Sequence, residues 1–418
     1  MQDLQKYKNT LRTWGLSDNP FRAVPPDTAE DLEKIFYGRA KEVEIALPTL
    51  YEGRNILIRG AWGIGKTSLI QHLLYQLQKQ VATLDEPMAV LYLSGIPGDS
   101  ANDFYRALAL MLADSLSEVD EQAKNIADTL RGFSIQRPKQ TIEGRVSFFG
   151  FTLGTRVEKP SSERTPMANA DPYTLLIPLL HQAEEHYSRL VIAIDDLDKK
   201  NPTTVQDILE KSLDLFRMGK KRSFVMTGRS FTTLQETSIK ALGIFSEDFN
   251  LAAMSAEELH HIVIRYLNSV RENPRDSVYP FTEEVIERII EYSRGIPRQL
   301  NTICEKILRQ AAMKGATEIN NEIFSLLWTD LQQQFTAELD PHIRRLLYEA
   351  YQAEGIHEDI EDSVLARLGV STFIELLPTL KNLEEQGSLI RQDTAKGTRF
   401  LPSELFKPET LDPGFSTP

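Results

Sequence analysis

The residues from Gly60 to Ser68 have the types and spacing of a phosphate-binding loop. They read Gly-Ala-Trp-Gly-Ile-Gly-Lys-Thr-Ser and fit the pattern GxxxxGK[ST] between an apolar and an amphipathic stretch. Glycines let backbone N–H groups turn toward phosphate oxygens, and the positive end of the following helix faces the same anion. Lys66 is expected to reach the β- and γ-phosphates of ATP, and the Thr67 hydroxyl to bind Mg²⁺. The predicted nucleotide contacts of this loop are Gly60, Trp62, Gly63, Ile64, Gly65, Lys66, Thr67 and Ser68.

A second motif ends in carboxylates. The apolar stretch 190–194 is followed by Asp195, Asp196 and Asp198. A buried strand that ends in carboxylates near a phosphate loop can hold the metal of a bound nucleotide. We therefore predict that Asp195 binds Mg²⁺ together with Thr67, and that Asp196 polarises the attacking water. Many ATPases carry glutamate at the second position, and the shorter aspartate predicts slow turnover.

Polar residues after two further elements complete the predicted site. Thr227 ends an apolar stretch and is expected to hold the attacking water or the γ-phosphate. Arg229 is expected to sense the γ-phosphate in its own or a neighbouring subunit, with a surface arginine as the alternative. The segment Gly295-Ile-Pro297-Arg298 opens a helix. Arg298 is expected to reach the phosphates, with Pro297 beside the nucleotide, unless Gly295 and Pro297 serve only to begin the helix.

Short apolar strands and helices must position these residues. Strands predicted at 55–59, 89–93, 189–194 and 223–227 alternate with helices at 67–78 and 103–115. This alternation predicts an α/β P-loop NTPase with a parallel sheet, followed by a helical lid and a C-terminal winged helix. The predicted domains are an N-terminal arm at 1–32, an ATPase core at 33–250, the lid at 251–337, the winged helix at 338–407 and a tail at 408–418.

Residues 131–175 interrupt the alternation. Residues 145–157 alternate apolar and polar side chains around Gly150, which predicts a β-hairpin. The segment holds seven basic and four acidic residues in an otherwise acidic chain. It is interpreted as an insertion into the core, and a solvated loop remains the alternative.

The motifs together resemble the AAA+ superfamily of ATPases. Within it, the chain is similar to the origin-recognition initiator ATPases and to bacterial relatives such as Tn7-type transposition regulators. The resemblance implies that Tyr37 and Arg39, which stand in a GR-x-x-E-like box, lie near the adenine. It also implies a homo-oligomer in which a neighbour donates an arginine. Trp62 and the run of acids at 195–198 are closer to the KAP and STAND branches of P-loop NTPases.

The amino-acid composition indicates the general class of the protein and the compartment in which it is expected. Apolar residues make up 41% of the chain and charged residues 26%, which indicates an ordinary globular protein. The single cysteine, Cys304, excludes an internal disulfide and is typical of the reducing cytoplasm. No apolar run approaches the ~18 residues that a membrane-spanning helix needs. We therefore expect a soluble cytoplasmic protein without membrane contacts.

The charge distribution limits where DNA could bind. A formal net charge of −13 makes general nucleic-acid binding unfavourable, because phosphate contacts supply most non-specific affinity. The third helix of the predicted winged domain carries three glutamates against Lys381 alone, and Pro378 is expected to interrupt it. Duplex DNA is therefore expected at the basic insertion 131–164 and at the wing 391–399. Docking of a protein partner on the winged helix is the alternative.

These observations predict an ATP-dependent, oligomerising molecular switch. Its expected role is the regulation of a DNA transaction, such as target selection in transposition or the loading of a partner protein. The alternative is a STAND-like signalling or defence scaffold, in which the winged helix binds protein partners or an effector. An ATPase coupled to secretion is a third hypothesis, which the absent membrane segment weakens.

Overall fold

The chain divides into two compact units. The computed structural model describes residues 2–22, 26, 28–117, 123, 126, 144–148, 151–154, 171–197, 202–217, 219–228, 243–385, 387–394, 397–406 and 408–411. The sheet unit comprises Arg39–Gly60 and Lys66–Ala252. The helical unit comprises Met1–Gly38, Ala61–Gly65 and Ala253–Pro418. The N-terminal segment therefore groups with the C-terminal part of the chain, and the predicted domain boundaries remain predictions.

The sheet unit is built on strands β1 Ile56–Gly60, β2 Met88–Ser94, β3 Gly144–Phe148, β4 Phe151–Gly154, β5 Arg189–Asp195, β6 Arg222–Gly228 and β7 Glu247–Leu251. Their order is β4-β3-β2-β5-β6-β1-β7, and the last five run parallel. Every residue of β1 and β6 is buried, as expected where both faces of a parallel sheet are covered. The predicted parallel sheet is confirmed, and the carboxyl ends of its parallel strands lie at one edge.

Two parts of the sheet extend the predicted pattern. The predicted hairpin is present as β3 and β4, and β3 pairs antiparallel with β2, so that the hairpin widens the sheet. Residues 131–143, 149–150 and 155–170 of the predicted insertion lie outside the described residues, and its last residues, 171–175, lead into the helix Pro172–His186. Strand β7 was not predicted, because its sequence Glu-Asp-Phe-Asn-Leu lacks an apolar run. It is an edge strand with Leu251 as its buried residue.

The helices, in chain order, are α1 Gln2–Thr13, α2 Ala29–Ile35, α3 Ala40–Tyr51, α4 Lys66–Thr83, α5 Ala101–Leu116, α6 Pro172–His186, α7 Pro202–Lys211, α8 Leu213–Arg217, α9 Ala256–Asn268, α10 Glu283–Ser293, α11 Pro297–Lys314, α12 Asn321–Ala337, α13 Pro341–Gln352, α14 Asp362–Arg367, α15 Phe373–Glu385 and α16 Pro408–Leu411. None of the described helices is long and apolar enough to cross a membrane. Helix α4 packs on β1, β2, β5 and β6, which fixes the element that follows the phosphate loop.

The helical unit has a core that includes the N-terminal segment. Helix α1 packs on α11, and Leu11 and Trp14 are buried there. The indole of Trp14 donates to the carbonyl of Thr317 at 2.9 Å. The predicted capping box opens α9, where Ser255 and Glu258 bind each other's backbone N–H groups. Residues 1–32 are thus partly helical core, which the polar composition of this segment did not indicate.

The C-terminal region holds α13, α14 and α15 and a small antiparallel sheet of β8 Ile356–His357, β10 Gly397–Pro402 and β9 Leu389–Thr394. This arrangement is consistent with the predicted winged helix. Pro378 lies inside α15 and does not end it, because the buried Leu376 and Leu380 hold the helix against the core. The predicted free tail begins with α16, whose Leu411 is fully buried.

Candidate nucleotide-binding site

The phosphate loop begins where β1 ends and leads directly into α4. Gly60, Gly63 and Gly65 have φ angles of 153°, 79° and 101°, which residues with a Cβ rarely adopt. The ammonium group of Lys66 donates to the carbonyl of Gly60 at 2.9 Å and is buried. Thr67 and Ser68 are half-buried in the first turn of α4. The predicted loop therefore has the glycine conformations and the helix start that a phosphate site requires.

The apex of this loop contacts the start of α11 within the helical unit. The guanidinium of Arg298 lies over the ring of Trp62 at 4.0 Å from its centroid. The backbone N–H of Arg298 donates to the carbonyl of Gly63 at 3.3 Å. A Cβ at Gly63 would stand 2.8 Å from the Cβ of Arg298, so the approach requires glycine. Trp62 is 40% exposed, although it is a large apolar side chain.

The carboxylate of Asp195 lies at the end of β5 and is bound by two hydroxyl groups. Thr227, at the end of the neighbouring strand β6, donates its hydroxyl to Oδ1. Tyr92, on the strand at the other side, donates its hydroxyl to Oδ2 at 2.6 Å. Asp195 is 2% exposed and Thr227 is fully buried. Three adjacent parallel strands thus bring these side chains to one edge of the sheet.

Two residues beside this carboxylate are constrained: Tyr92 in its protonation and Asp196 in its backbone conformation. Burial, followed by the charge and the hydrogen bond of Asp195, raises the pKa of Tyr92 above its ordinary range, so the phenol is a neutral donor. Asp196 has a left-handed φ of 54°, and its backbone N–H donates to the Thr227 hydroxyl at 2.9 Å. The Thr227 proton is directed to Asp195 in this structure, whereas the sequence suggested a contact with water or the γ-phosphate.

The residues around the loop fit a magnesium ion bound with a nucleotide. Asp195 and Thr67 offer oxygen donors, which Mg²⁺ prefers. Among the described residues, no three His, Cys, Asp or Glu side chains form a metal cluster. Mg²⁺ usually keeps several waters and is held by one or two carboxylates plus substrate phosphates, so it does not need such a cluster.

Three predicted residues have other surroundings. The ring of Tyr37, two residues after α2, lies 4.7 Å from that of His261 on α9, within the helical unit. Arg39, in the sheet unit, donates to the carbonyl of Ala252 at 2.7 Å. Arg229 lies outside the described residues. Whether Tyr37 and Arg39 contact the adenine stays a prediction, as does the role of Pro297 at the first turn of α11.

Tyr92 is the residue that sequence analysis missed. It lies two positions before the end of β2, and its contact with Asp195 depends on β2 being the neighbour of β5. A tyrosine near the carboxyl end of an apolar strand was the available signal. Strand order decides whether such a residue meets the carboxylate, and strand order cannot be read from local sequence.

Comparison with known proteins finds similarity over the part of the chain that holds the phosphate loop and Asp195. Residues 35–225 match the family model of the AAA ATPase domain. The chain is 22% identical over 332 residues to an uncharacterized HTH-type transcriptional regulator of Methanocaldococcus jannaschii. The match covers 75% of this chain and 73% of the regulator.

Solved structures show the same fold at low sequence identity. The ORC1 protein of Aeropyrum pernix, solved in complex with DNA, is 13% identical with a TM-score of 0.51 over 92% of this chain and 95% of that one. The ORC2 protein of the same organism, solved with ADPNP and ADP, is 12% identical with a TM-score of 0.51 over 90% and 94%. The predicted resemblance is therefore confirmed: residues 35–225 match the AAA ATPase domain, and the chain has the fold of the origin-recognition structures.

Proposed function

We propose that the protein is a Mg²⁺-dependent ATP hydrolase that works as an oligomerising switch in a DNA transaction. One observation carries the nucleotide part of this proposal. The phosphate loop with its buried Lys66 follows β1, and the buried Asp195 ends β5 at the same edge of the parallel sheet. The AAA ATPase family match to residues 35–225 and the nucleotide-bound ORC2 relative support it.

Each side chain has a distinct part in the proposed reaction. Lys66 binds the β- and γ-phosphates, and Thr67 and Asp195 hold Mg²⁺. Bound Mg²⁺ neutralises phosphate charge. Asp196 accepts the proton of the attacking water, and its short side chain makes turnover slow. Arg298 responds to the γ-phosphate, and a neighbouring subunit supplies a further arginine.

The DNA part of the proposal rests on charge and on the relatives. The ORC1 relative was solved with DNA, and the archaeal relative is named as an HTH-type regulator. The insertion 131–164 and the wing 391–399 are the basic segments, and Arg391 is exposed. We propose that they contact duplex DNA, while a transposase-like protein is the partner. We propose that the protein works in the cytoplasm, where a thiol such as that of Cys304 stays reduced.

A second function is supported by the surface of α15. Ile374 is 75% exposed on this helix, beside the exposed Glu375. An exposed apolar residue next to an acid suits a protein surface better than DNA phosphates. This favours the STAND-like scaffold as the alternative function, in which ATP holds an oligomer and the C-terminal region binds an effector protein.

Replacement of the loop lysine tests the nucleotide proposal. Lys66→Ala is expected to weaken binding of a fluorescent ATP analogue by more than about tenfold, because it removes a charged donor to the phosphates. Lys79→Ala, at the exposed far end of the same helix α4, is the control and is expected to bind normally. Equal affinity of Lys66→Ala and the wild type would reject the site.

A further inference from the structure

The hydrogen bonds of Asp195 limit what its carboxylate can still bind. A carboxylate offers about four acceptor directions, two on each oxygen. Oδ1 accepts from the Thr227 hydroxyl and, at 3.0 Å, from the backbone N–H of Asp196. Oδ2 accepts from the Tyr92 hydroxyl at 2.6 Å. Among the described residues, these donors leave one acceptor direction, and it is on Oδ2.

The two hydroxyl donors also fix the orientation of the carboxylate. Each hydroxyl has one proton, and both protons are directed to Asp195. The donors stand on β6 and β2, the strands at either side of β5, so a rotation of the carboxylate would break bonds to both. The Gln71 side chain, on α4, is a further hydrogen-bonding neighbour of the Tyr92 hydroxyl.

We propose that Tyr92 is a positioning residue for metal binding. Its hydrogen bond holds Oδ2 so that the remaining acceptor direction meets the divalent cation of the bound nucleotide. Partners that hold the ligands of a metal in this way typically change its affinity by about 10- to 100-fold when they are removed. This inference rests on the proposed function, because it assumes that nucleotide and Mg²⁺ bind at the phosphate loop.

The Mg²⁺ dependence of nucleotide binding tests the role of Tyr92 without measuring hydrolysis. Binding of a fluorescent non-hydrolysable ATP analogue is followed over a series of Mg²⁺ concentrations, including none. Tyr92→Phe is expected to raise the Mg²⁺ concentration of half-maximal effect by about tenfold. Its affinity for the analogue without Mg²⁺ is expected to equal that of the wild type.

A matched control removes a different tyrosine hydroxyl from the same unit. Tyr105 is 5% exposed and donates its hydroxyl to the carbonyl of Lys211 at 2.8 Å, away from Asp195. Tyr105→Phe is therefore expected to keep the wild-type Mg²⁺ dependence. If Tyr92→Phe does not fold, Thr227→Val removes the hydroxyl donor to Oδ1, leaves the backbone N–H of Asp196 there, and is expected to raise the Mg²⁺ midpoint as well.

The possible results separate this inference from the proposed function. A wild-type Mg²⁺ midpoint in folded Tyr92→Phe overturns the inference, as does an equal loss of affinity with and without Mg²⁺, which indicates a general structural role. A wild-type protein that binds no analogue at all overturns the proposed function and the inference together.

Discussion

Asp196 lies in a backbone conformation that restricts which residues can replace it. It follows β5 with a φ of 54°, and Asp and Asn adopt this region more readily than most residues with a Cβ. Its backbone N–H is bound by the Thr227 hydroxyl, so the position of its Cα is fixed independently of the side-chain charge. Asparagine should therefore keep the local structure while it removes the proposed base.

Asp196→Asn is expected to bind the ATP analogue normally and to hydrolyse ATP at least about 100-fold more slowly, because general bases contribute about 10²–10⁴-fold to rates. Steady-state phosphate release and equilibrium binding measure the two effects. Asp207→Asn, an exposed acid on α7 paired with Lys211, serves as the control. Unchanged hydrolysis in Asp196→Asn would assign the base to another acid, such as Asp198.

The start of α11 and the apex of the phosphate loop stabilise each other through direct contacts. The helix begins at Pro297, and the backbone N–H of Arg298 is satisfied by the carbonyl of Gly63. The first N–H groups of a helix have no partner within it, so this bond completes the helix start. Trp62 adds a cation–π contact, typically about 0.5–1 kcal/mol at exposed sites. The apex of the loop is therefore part of the packing of α11.

Gly63→Ala is expected to destabilise the protein more than an alanine at another left-handed glycine of the same unit. Gly15 has a similar φ of 74° against 79° for Gly63, but a Cβ there meets nothing within 4 Å. Gly15→Ala should lose about 1–2 kcal/mol from backbone conformation alone. Gly63→Ala should lose more, because its Cβ would stand 2.8 Å from that of Arg298.

Urea unfolding of the two variants and the wild type measures this difference. The two glycines have similar φ angles, so the backbone penalties are expected to be similar and the excess loss in Gly63→Ala reports the contact with α11. Equal losses would mean that the loop apex and α11 separate easily.

At the scale of the whole molecule, the excess of acidic residues disfavours general binding to DNA. The chain has 60 acidic and 47 basic residues, and the segment 341–407 has eleven acidic and eight basic residues. The insertion 131–175 has the opposite balance, with seven basic and four acidic residues. Attraction to phosphates is therefore expected from the insertion and the wing rather than from α15, which carries Lys381 as its single basic residue.

Charge reversal of Arg145, Arg156 and Lys159 is expected to weaken DNA binding uniformly across sequences. The salt dependence should also flatten, each lost phosphate contact reducing the slope of log affinity against log salt by roughly one unit. Lys381→Glu, on α15, is the comparison and should have little effect. Binding to duplex DNA over a salt series, with an ATP analogue present, measures both.

Two results would contradict this prediction. Loss of binding in Lys381→Glu alone would place α15 in the DNA groove. Absence of DNA binding in the wild type would favour the signalling scaffold.

Local sequence was sufficient to predict the elements that have a distinctive motif or a clear apolar pattern. The glycines of the phosphate loop, the acids after β5 and the capping box of α9 are each specified by a few neighbouring residues, because backbone conformation and caps depend on nearby atoms. The four predicted strands were found within one residue of their ends, since buried parallel strands are continuous apolar runs.

Tertiary structure decided what depends on residues far apart in the chain. Tyr92 meets Asp195 because β2 lies beside β5, across 103 positions of sequence. Strand β7 forms because β1 offers it a free edge, and α15 continues through Pro378 because Leu376 and Leu380 are buried. Likewise, Leu11 on α1 and Trp14, the residue that follows this helix, are buried in the core of the helical unit. In each case long-range packing outweighs a weak or contrary local preference, and local sequence does not contain the identity of the packing partner.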